Sequence, residues 1–359
     1  MLLRVSEGYF ERIWGGRELE AVYDKPLPEG QSIGEAWVVS DHSSFESEVL
    51  EGPGAGGTLH QLLEAEPRRL LGRRAQPTPD GRFPLLLKLL DARDVLSVQV
   101  HPNDRLAREL GEPDVGKTEM WHVLAAEPDA ELIVGLDPSV TPEGFEQAIH
   151  AGTVQQLMRS FPAPPGTSAF LAAGTVHAIG AGLLLAEIQQ NSNITYRIYD
   201  WERTGTDGKP RALHIDKAKR VINFGSHHGG AAQSLSYETQ GATRQVLAAC
   251  NYFAGERVAV SGDTTRHTRG DSFHILLGVE GALTAKAGDT TAVFGPGQAV
   301  LVMGEAERHD VAGTGVYLEY YVPDLQQDIV APLRAAGHTD ADIVQLGGTP
   351  ELSDLAAAV

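Results

Sequence analysis

The feature that most restricts this chain is its punctuation. Apolar runs are short and nearly always closed by glycine or proline, and 40 Gly with 20 Pro among 359 residues leave little room for long helices. Over residues 243–322, in FHILLGVEGALTAKAGDTTAVFGPGQAVLVM, turn signals recur about every 8–12 residues, the pattern of a β-sandwich or barrel. An all-helical bundle is excluded. Helical spacing is confined to two places. In residues 58–71 (TLHQLLEAEPRRLL) leucines fall at near-helical intervals with Pro67 as a break, and in residues 141–161 Thr141 can cap, Pro142 suits the first turn, and Phe145, Ile149, Val154 and Leu157 supply an apolar side divided by Gly152. The segment after Pro323 reads as a helix or two and a loose end.

Charge narrows the partners. With 48 Asp+Glu against 29 Lys+Arg, the net charge of −19 repels phosphate backbones and anionic lipid, so neither nucleic acid nor a membrane is expected. A small anionic substrate requires basic side chains to converge locally. A single cysteine, Cys250, excludes an internal disulfide and a multi-thiolate metal site, and suits a reducing compartment. The N-terminal MLLRVSEGYFERIWGG carries Arg4, Glu7, Glu11 and Arg12 and lacks the apolar centre of a signal peptide, and no stretch reaches the ~20 apolar residues of a membrane span. The expectation is a cytoplasmic protein.

The chemistry begins in LSVQVHPND. On a strand, Ser97, Gln99 and His101 share one face while Val98 and Val100 take the other. A glutamine and a histidine two apart can reach one divalent ion, although a polar surface strand accounts for them equally well. In GKTEMWHVL, Lys117, Glu119 and Trp121 share parity, whereas His122 points the other way and reads as a packed histidine. The glycine turn of FLAAGTVHAIGAG delivers His177 at the start of a further strand. Gln99, His101, Glu119 and His177 together make an oxygen and nitrogen donor set that suits Zn, Mn, Co, Ni or Fe(II).

In LLLAEIQQNSNITYRIYDW, Glu187 and Gln189 share a face of an otherwise apolar strand. Desolvation there is expected to raise the Glu187 pKa toward the range of a general base; the alternative is a strand-edge carboxylate paired with an arginine. Lys88 in PLLLKLLDA must reach solvent or meet an anion. With Lys117 and Arg197 it supplies a local positive patch for a phosphorylated substrate. His274 in SFHILL lacks companions at ligand spacing and reads as structural.

These segments, with RIWGG, GEAWVVSDH and GKPRALHI, resemble type I mannose-6-phosphate isomerase in its shorter bacterial form, over residues 13–224. The resemblance implies a mainly β fold of cupin (jelly-roll) sandwiches or barrels. It divides the chain into a metal-binding catalytic unit (1–235, with a helical insertion at about 141–161), a degenerate second cupin-like unit (236–325) and a tail (326–359); the His, Gly, Ser and Ala-rich composition around 226–240 reads as the linker. It implies one Zn²⁺ per chain, other divalent ions being possible, held by Gln99, His101, Glu119 and His177. Catalytic roles follow for Glu187 and Arg197, and contacts to a sugar phosphate for Lys88, Ser97, Lys117 and Arg197. The implied reaction interconverts mannose 6-phosphate and fructose 6-phosphate through a cis-enediol(ate), with Glu187 as first choice of base and a metal-bound water or a Lys117 of lowered pKa as rivals. A non-catalytic sugar-phosphate-binding or regulatory cupin and an Fe(II) oxygenase are the alternatives, and monomer or homodimer is left open. Two features depart from the family pattern: Ala172 and Ala173 stand where a proline is common before His177, and the tail is longer than usual.

Overall fold

Short apolar runs joined by glycine turns become strands, and the expectation of a mainly β architecture is met. The computed structural model describes residues 1–205, 208–225, 230–350 and 352–359. Of the expected linker, residues 226–229 lie outside the described residues, and the strand Leu235–Thr239 occupies most of its second half. The chain forms two units. One, the site-bearing unit, comprises Tyr9–Ala36 and Lys88–Ala232; the other comprises Met1–Gly8, Trp37–Leu87 and Gln233–Val359. The units are therefore interleaved along the sequence, where the expectation divided it into consecutive blocks. The reason is visible at the N-terminus: Leu2 and Leu3 pair with Val302 and Leu301, so the first strand completes a sheet built largely from the last third of the chain.

In the site-bearing unit, a five-stranded sheet runs in the order Met158–Pro162, Glu131–Leu136, His177–Ile179, Val98–Val100, Tyr196–Tyr199. Period-two alternation gives it two faces. Val98, Val100, Ala178, Tyr196 and Ile198 pack with Phe145 of the helix Pro142–Ala151 and Val221 of the helix Ile215–Val221. The longer helix has the caps the sequence implies, with Thr141 accepting from the Gly144 amide and Gly152 closing it in a left-handed conformation, but the expected helical stretch to residue 161 is shorter: after a single turn at Val154–Leu157, Met158–Pro162 is a strand paired with Glu131–Leu136. The opposite face carries Gln99, His177 and Ile179. A six-stranded sheet runs Ser168–Leu171, Glu119–Ala126, Leu183–Gln190, Leu85–Ala92, Ile33–Val39, Gly8–Gly16. Trp14, Leu90, Trp121, Val123, Leu183 and Leu185 from these strands cluster with Leu132 and Ile179 of the first sheet. Lys88, Glu119 and Glu187 continue the same strand faces, so polar side chains occupy the interior where that apolar cluster ends.

In the second unit the dominant element is a ribbon of Ala254–His267 paired with Arg308–Tyr321 through fourteen consecutive residue pairs. Straight strands would hold residues ten apart roughly 33 Å from each other. Instead Glu256 meets Arg266 at 3.0 Å and Glu319 meets His309 at 3.2 Å, so the ribbon folds back on itself. The paired glycines Gly262 and Gly313 lie between them with φ of +133° and +126°, conformations that side chains rarely adopt. His274, expected to stand alone, has His309 and Glu319 as companions; their spacing along the chain conceals what the fold-back brings together. The C-terminal segment is not loose: Ile329, Val330, Leu333, Ile343, Leu346 and Leu355 are buried with Val246, Ala249 and Tyr321. No helix among the described residues is long and apolar enough to cross a membrane.

The ribbon corner generates a stability prediction. A Cβ at Gly313 would lie 3.1 Å from the Ala282 carbonyl oxygen and 3.2 Å from Leu283 Cδ2, on a backbone already at positive φ. Gly313→Ala should cost about 1–3 kcal/mol, read as a lowered denaturation midpoint at unchanged slope.

Candidate metal centre and adjoining cavity

Backbone carbonyls set the state of both histidines. His101 Nδ1–H donates to Ile194 O at 2.7 Å and His177 Nδ1–H donates to Thr175 O at 2.9 Å, so each Nε2 carries the lone pair, which faces Lys117 Nζ at 3.3 Å on His101 and the Gln99 amide at 3.2 Å on His177. Those Nε2 atoms stand 3.7 and 3.3 Å from the Glu119 carboxylate oxygens, and the three side chains are wholly buried. Burial, reinforced by the Lys117 cation, holds His101 well below the ordinary imidazole range and His177 at about 3. Both rings are neutral at physiological pH, the form that ligates.

The turn preceding His177 holds without the proline. Thr175 N–H donates to Ala172 O, and Gly174, at φ +91°, donates its N–H to His101 O. One histidine is thus anchored to the backbone of the other. Gln99 lies directly across from His177 in register and from Arg197 on its other side, so three expected site residues form one row across the sheet. The Gln99 amide is 3.2 Å from His177 Nε2. Neither Glu119 oxygen has an aligned hydrogen bond within the protein. Two imidazoles, one carboxylate and one amide fit a divalent ion of the zinc type.

Around this set runs a chain of buried charges. Lys117 Nζ is 2.5 Å from Glu119 and 3.9 Å from Glu187; Lys88 Nζ is 3.3 Å from Glu187 and 3.9 Å from Glu35; Arg12 Nε is 2.7 Å from Glu35. Trp121 Nε1–H donates to Glu187 Oε2 at 2.9 Å. The expected rise of the Glu187 pKa is corrected. Burial does push it up, but the Lys117 and Lys88 cations and the Trp121 hydrogen bond outweigh burial and hold the carboxyl below the ordinary range. The expected lowering of Lys117 is corrected as well. Burial pulls it down, yet Glu119 and Glu187 raise it, so it is a fixed cation rather than a base.

Lys88, Ser97, Gln99, Lys117, Glu187 and Arg197 all line one cavity of about 350 Å³. Arg197 reaches that cavity rather than the histidine cluster, with Nη1 donating to Ala212 O at 2.9 Å and Nε unpartnered. Sequence reading missed Arg12, Glu35 and Arg211, which also line it; with them the cations Arg12, Lys88, Lys117, Arg197 and Arg211 face the carboxylates Glu35 and Glu187. Glu35 carried the same signal as Lys88, a charge set in an apolar run, while Arg211 carried none. Burial and the neighbouring Arg211 both depress the Arg197 guanidinium, a tension that a bound anion relieves. His122 lies away from this centre, with Nδ1 2.8 Å from Ser168 Oγ.

Residues 2–155 match the family model described as phosphomannose isomerase type I, catalytic domain. The mannose-6-phosphate isomerase ManA of Bacillus subtilis is 36% identical over 299 residues, covering 81% of this chain and 90% of that protein. A crystal structure of the mannose 6-phosphate isomerase from Bacillus subtilis superposes with a TM-score of 0.81 at 31% identity, over 89% of this chain and 99% of that one. A further mannose 6-phosphate isomerase structure, bound with zinc and yttrium, has a TM-score of 0.67 at 17% identity, covers 89% of this chain and 99% of that one, and shares the fold.

Removal of either imidazole should break the centre. His101→Ala and His177→Ala should each hold one divalent ion per chain fewer than the parent after zinc loading and desalting, as measured by elemental analysis.

Proposed function

The chain belongs to the type I phosphomannose isomerase family, and from that premise we propose that it interconverts mannose 6-phosphate and fructose 6-phosphate with Zn²⁺ held by Gln99, His101, Glu119 and His177. The observation that carries this reading is the ionised Glu187 fixed between Lys88 and Lys117, in a cationic cavity that opens beside the histidine and glutamate donors. A bound zinc ion supplies Lewis-acid stabilisation of negative charge on oxygen.

The protein groups divide the remaining work. The reaction moves a proton between C2 and C1 and exchanges one between O1 and O2 through a cis-enediol(ate). Glu187 takes the carbon-bound proton and returns it at the adjacent carbon. Lys117, a permanent cation, stabilises the charge that builds on substrate oxygen, and Arg197 does the same from the facing sheet. Lys88 and Ser97 contact the sugar phosphate. Arg197, with Lys88 and Lys117, supplies the local positive field that draws a dianion toward a protein of net charge −19, while Arg211 beside it is held by Asp200. Fixing the phosphate supplies remote binding energy that holds the sugar carbons in register with Glu187.

Purified protein should convert mannose 6-phosphate to fructose 6-phosphate, lose the activity on chelation and regain it with added Zn²⁺. Absence of conversion by folded, zinc-loaded protein overturns the reading. Glu187→Gln should lower kcat by about 10²–10⁴-fold. Because Lys88 helps hold the Glu187 carboxyl below the ordinary range, the base form persists through neutral pH and is lost only as pH falls through that lowered pKa. Lys88→Met removes one of the two cations, so the acid limb of the kcat profile should move to higher pH.

A further inference from the structure

We propose that the second unit holds a divalent metal ion of its own, bound by His274, His309 and Glu319, in a structural rather than catalytic role. His274 starts the strand His274–Glu280, and the other two lie at opposite ends of Arg308–Tyr321, where the ribbon's fold-back joins them. The three candidate ligand atoms lie within 4.8 Å of one another, in side chains that are fully buried.

The cluster has the same donor types as the site-bearing unit, although here His274 turns Nδ1 rather than Nε2 to the carboxylate. Two imidazoles flank one carboxylate, with ring centroids 5.2 Å apart here and 4.8 Å apart there. Glu319 Oε1 is hydrogen-bonded with His274 Nδ1 at 2.7 Å and lies 3.2 Å from His309 Nε2, and Glu319 Oε2 accepts from the buried Arg244 at 2.7 Å, as Glu119 Oε2 is 2.5 Å from the buried Lys117. Buried cations meet buried carboxylates in both places: Arg244 and Arg266 with Glu319 and Glu256 here, Lys88 and Lys117 with Glu119 and Glu187 there.

A second observation points to a ligand. His309 is 1% exposed, yet neither of its ring nitrogens makes a hydrogen bond. Nε2 approaches Glu319 closely without the alignment of an N–H donor, the relation between two ligands of a common ion. What is missing is access. Tyr321 stacks on His274 with centroids 4.6 Å apart, and the Arg266 guanidinium covers the Tyr321 ring at 4.7 Å. An ion there would tie together the two ends of the folded ribbon, beneath the stacked Tyr321 and Arg266 side chains. Nitrogen and carboxylate donors select Zn²⁺ and its neighbours over Ca²⁺ or Mg²⁺.

The test begins by disabling the other centre. The full chain carrying His101→Ala and His177→Ala, loaded with Zn²⁺ and desalted, should retain one zinc per chain by elemental analysis, against two for the parent. Adding Zn²⁺ to the metal-stripped double variant should raise its thermal midpoint, and adding His309→Ala should abolish both the retention and the rise. In the otherwise native chain, His309→Ala should take the stoichiometry from two to one and leave isomerase turnover unchanged. No zinc retained by the His101→Ala, His177→Ala chain, or two retained by His309→Ala, overturns the proposal and makes the cluster a polar network without an ion. Should His309→Ala fail to fold, the double variant, whose second unit is untouched, decides the matter alone.

Discussion

Burying Lys88 and Lys117 in the interior of a β-sandwich is the constraint from which the site follows. A cation in that position is tolerable only with a carboxylate in contact, and removing one partner of such a pair typically costs about 3–5 kcal/mol. The fold meets the requirement by threading Glu35, Lys88, Glu187, Lys117 and Glu119 into one chain of charges on adjoining strands. Each group sets the state of the next. Glu187 is ionised because two lysines flank it, and Lys117 is cationic because two glutamates do. Desolvation, which alone would neutralise these groups, is outweighed at Glu187 and Lys117 by their neighbours.

The donor atoms depend on a different kind of restraint. Neutral imidazole has two tautomers, and only the one protonated on Nδ1 presents Nε2 to the Glu119 side. Two backbone carbonyls, Ile194 O and Thr175 O, select it. The hydrogen bond from Gly174 to His101 O then couples the positions of the two rings, and a Cβ at residue 174 would meet Asn223 and the Val221 carbonyl at 2.5 and 2.7 Å. Main-chain geometry thereby positions the histidines before any ion contributes.

Much of this was legible from strand parity. Period-two spacing grouped Ser97, Gln99 and His101, and separately Lys117, Glu119 and Trp121, because side chains on a strand alternate whatever the register. The type of the helix at Pro142–Ala151 and both of its caps could also be read, since capping is local. Two kinds of information were not local. The direction of the Glu187 pKa depends on Lys88, on another strand, and on Lys117, just ahead of the strand Glu119–Ala126, so the apolar neighbours LLLA and Ile188 pointed the wrong way. The interleaving of the units depends on where Leu2–Val5 pairs, and strand pairing is not written into the strand itself.

His309 and Glu319 show the limit most sharply. They occupy one strand, ten residues apart, and parity cannot bring them together on a straight strand. A pair of opposed glycines in the partner strands supplies the missing step, because Gly262 and Gly313 adopt a backbone that other residues resist. In the site-bearing unit the same ligand types converge by the ordinary means of two facing sheets, and the faces left between them hold a cavity. In the second unit convergence comes from folding one ribbon on itself, and the space is filled by Tyr321 and Arg266. Similar donors therefore serve different ends. Facing sheets leave room beside the donors for a substrate, whereas a folded ribbon closes over them, so chemistry belongs to the first arrangement and mechanical tethering to the second.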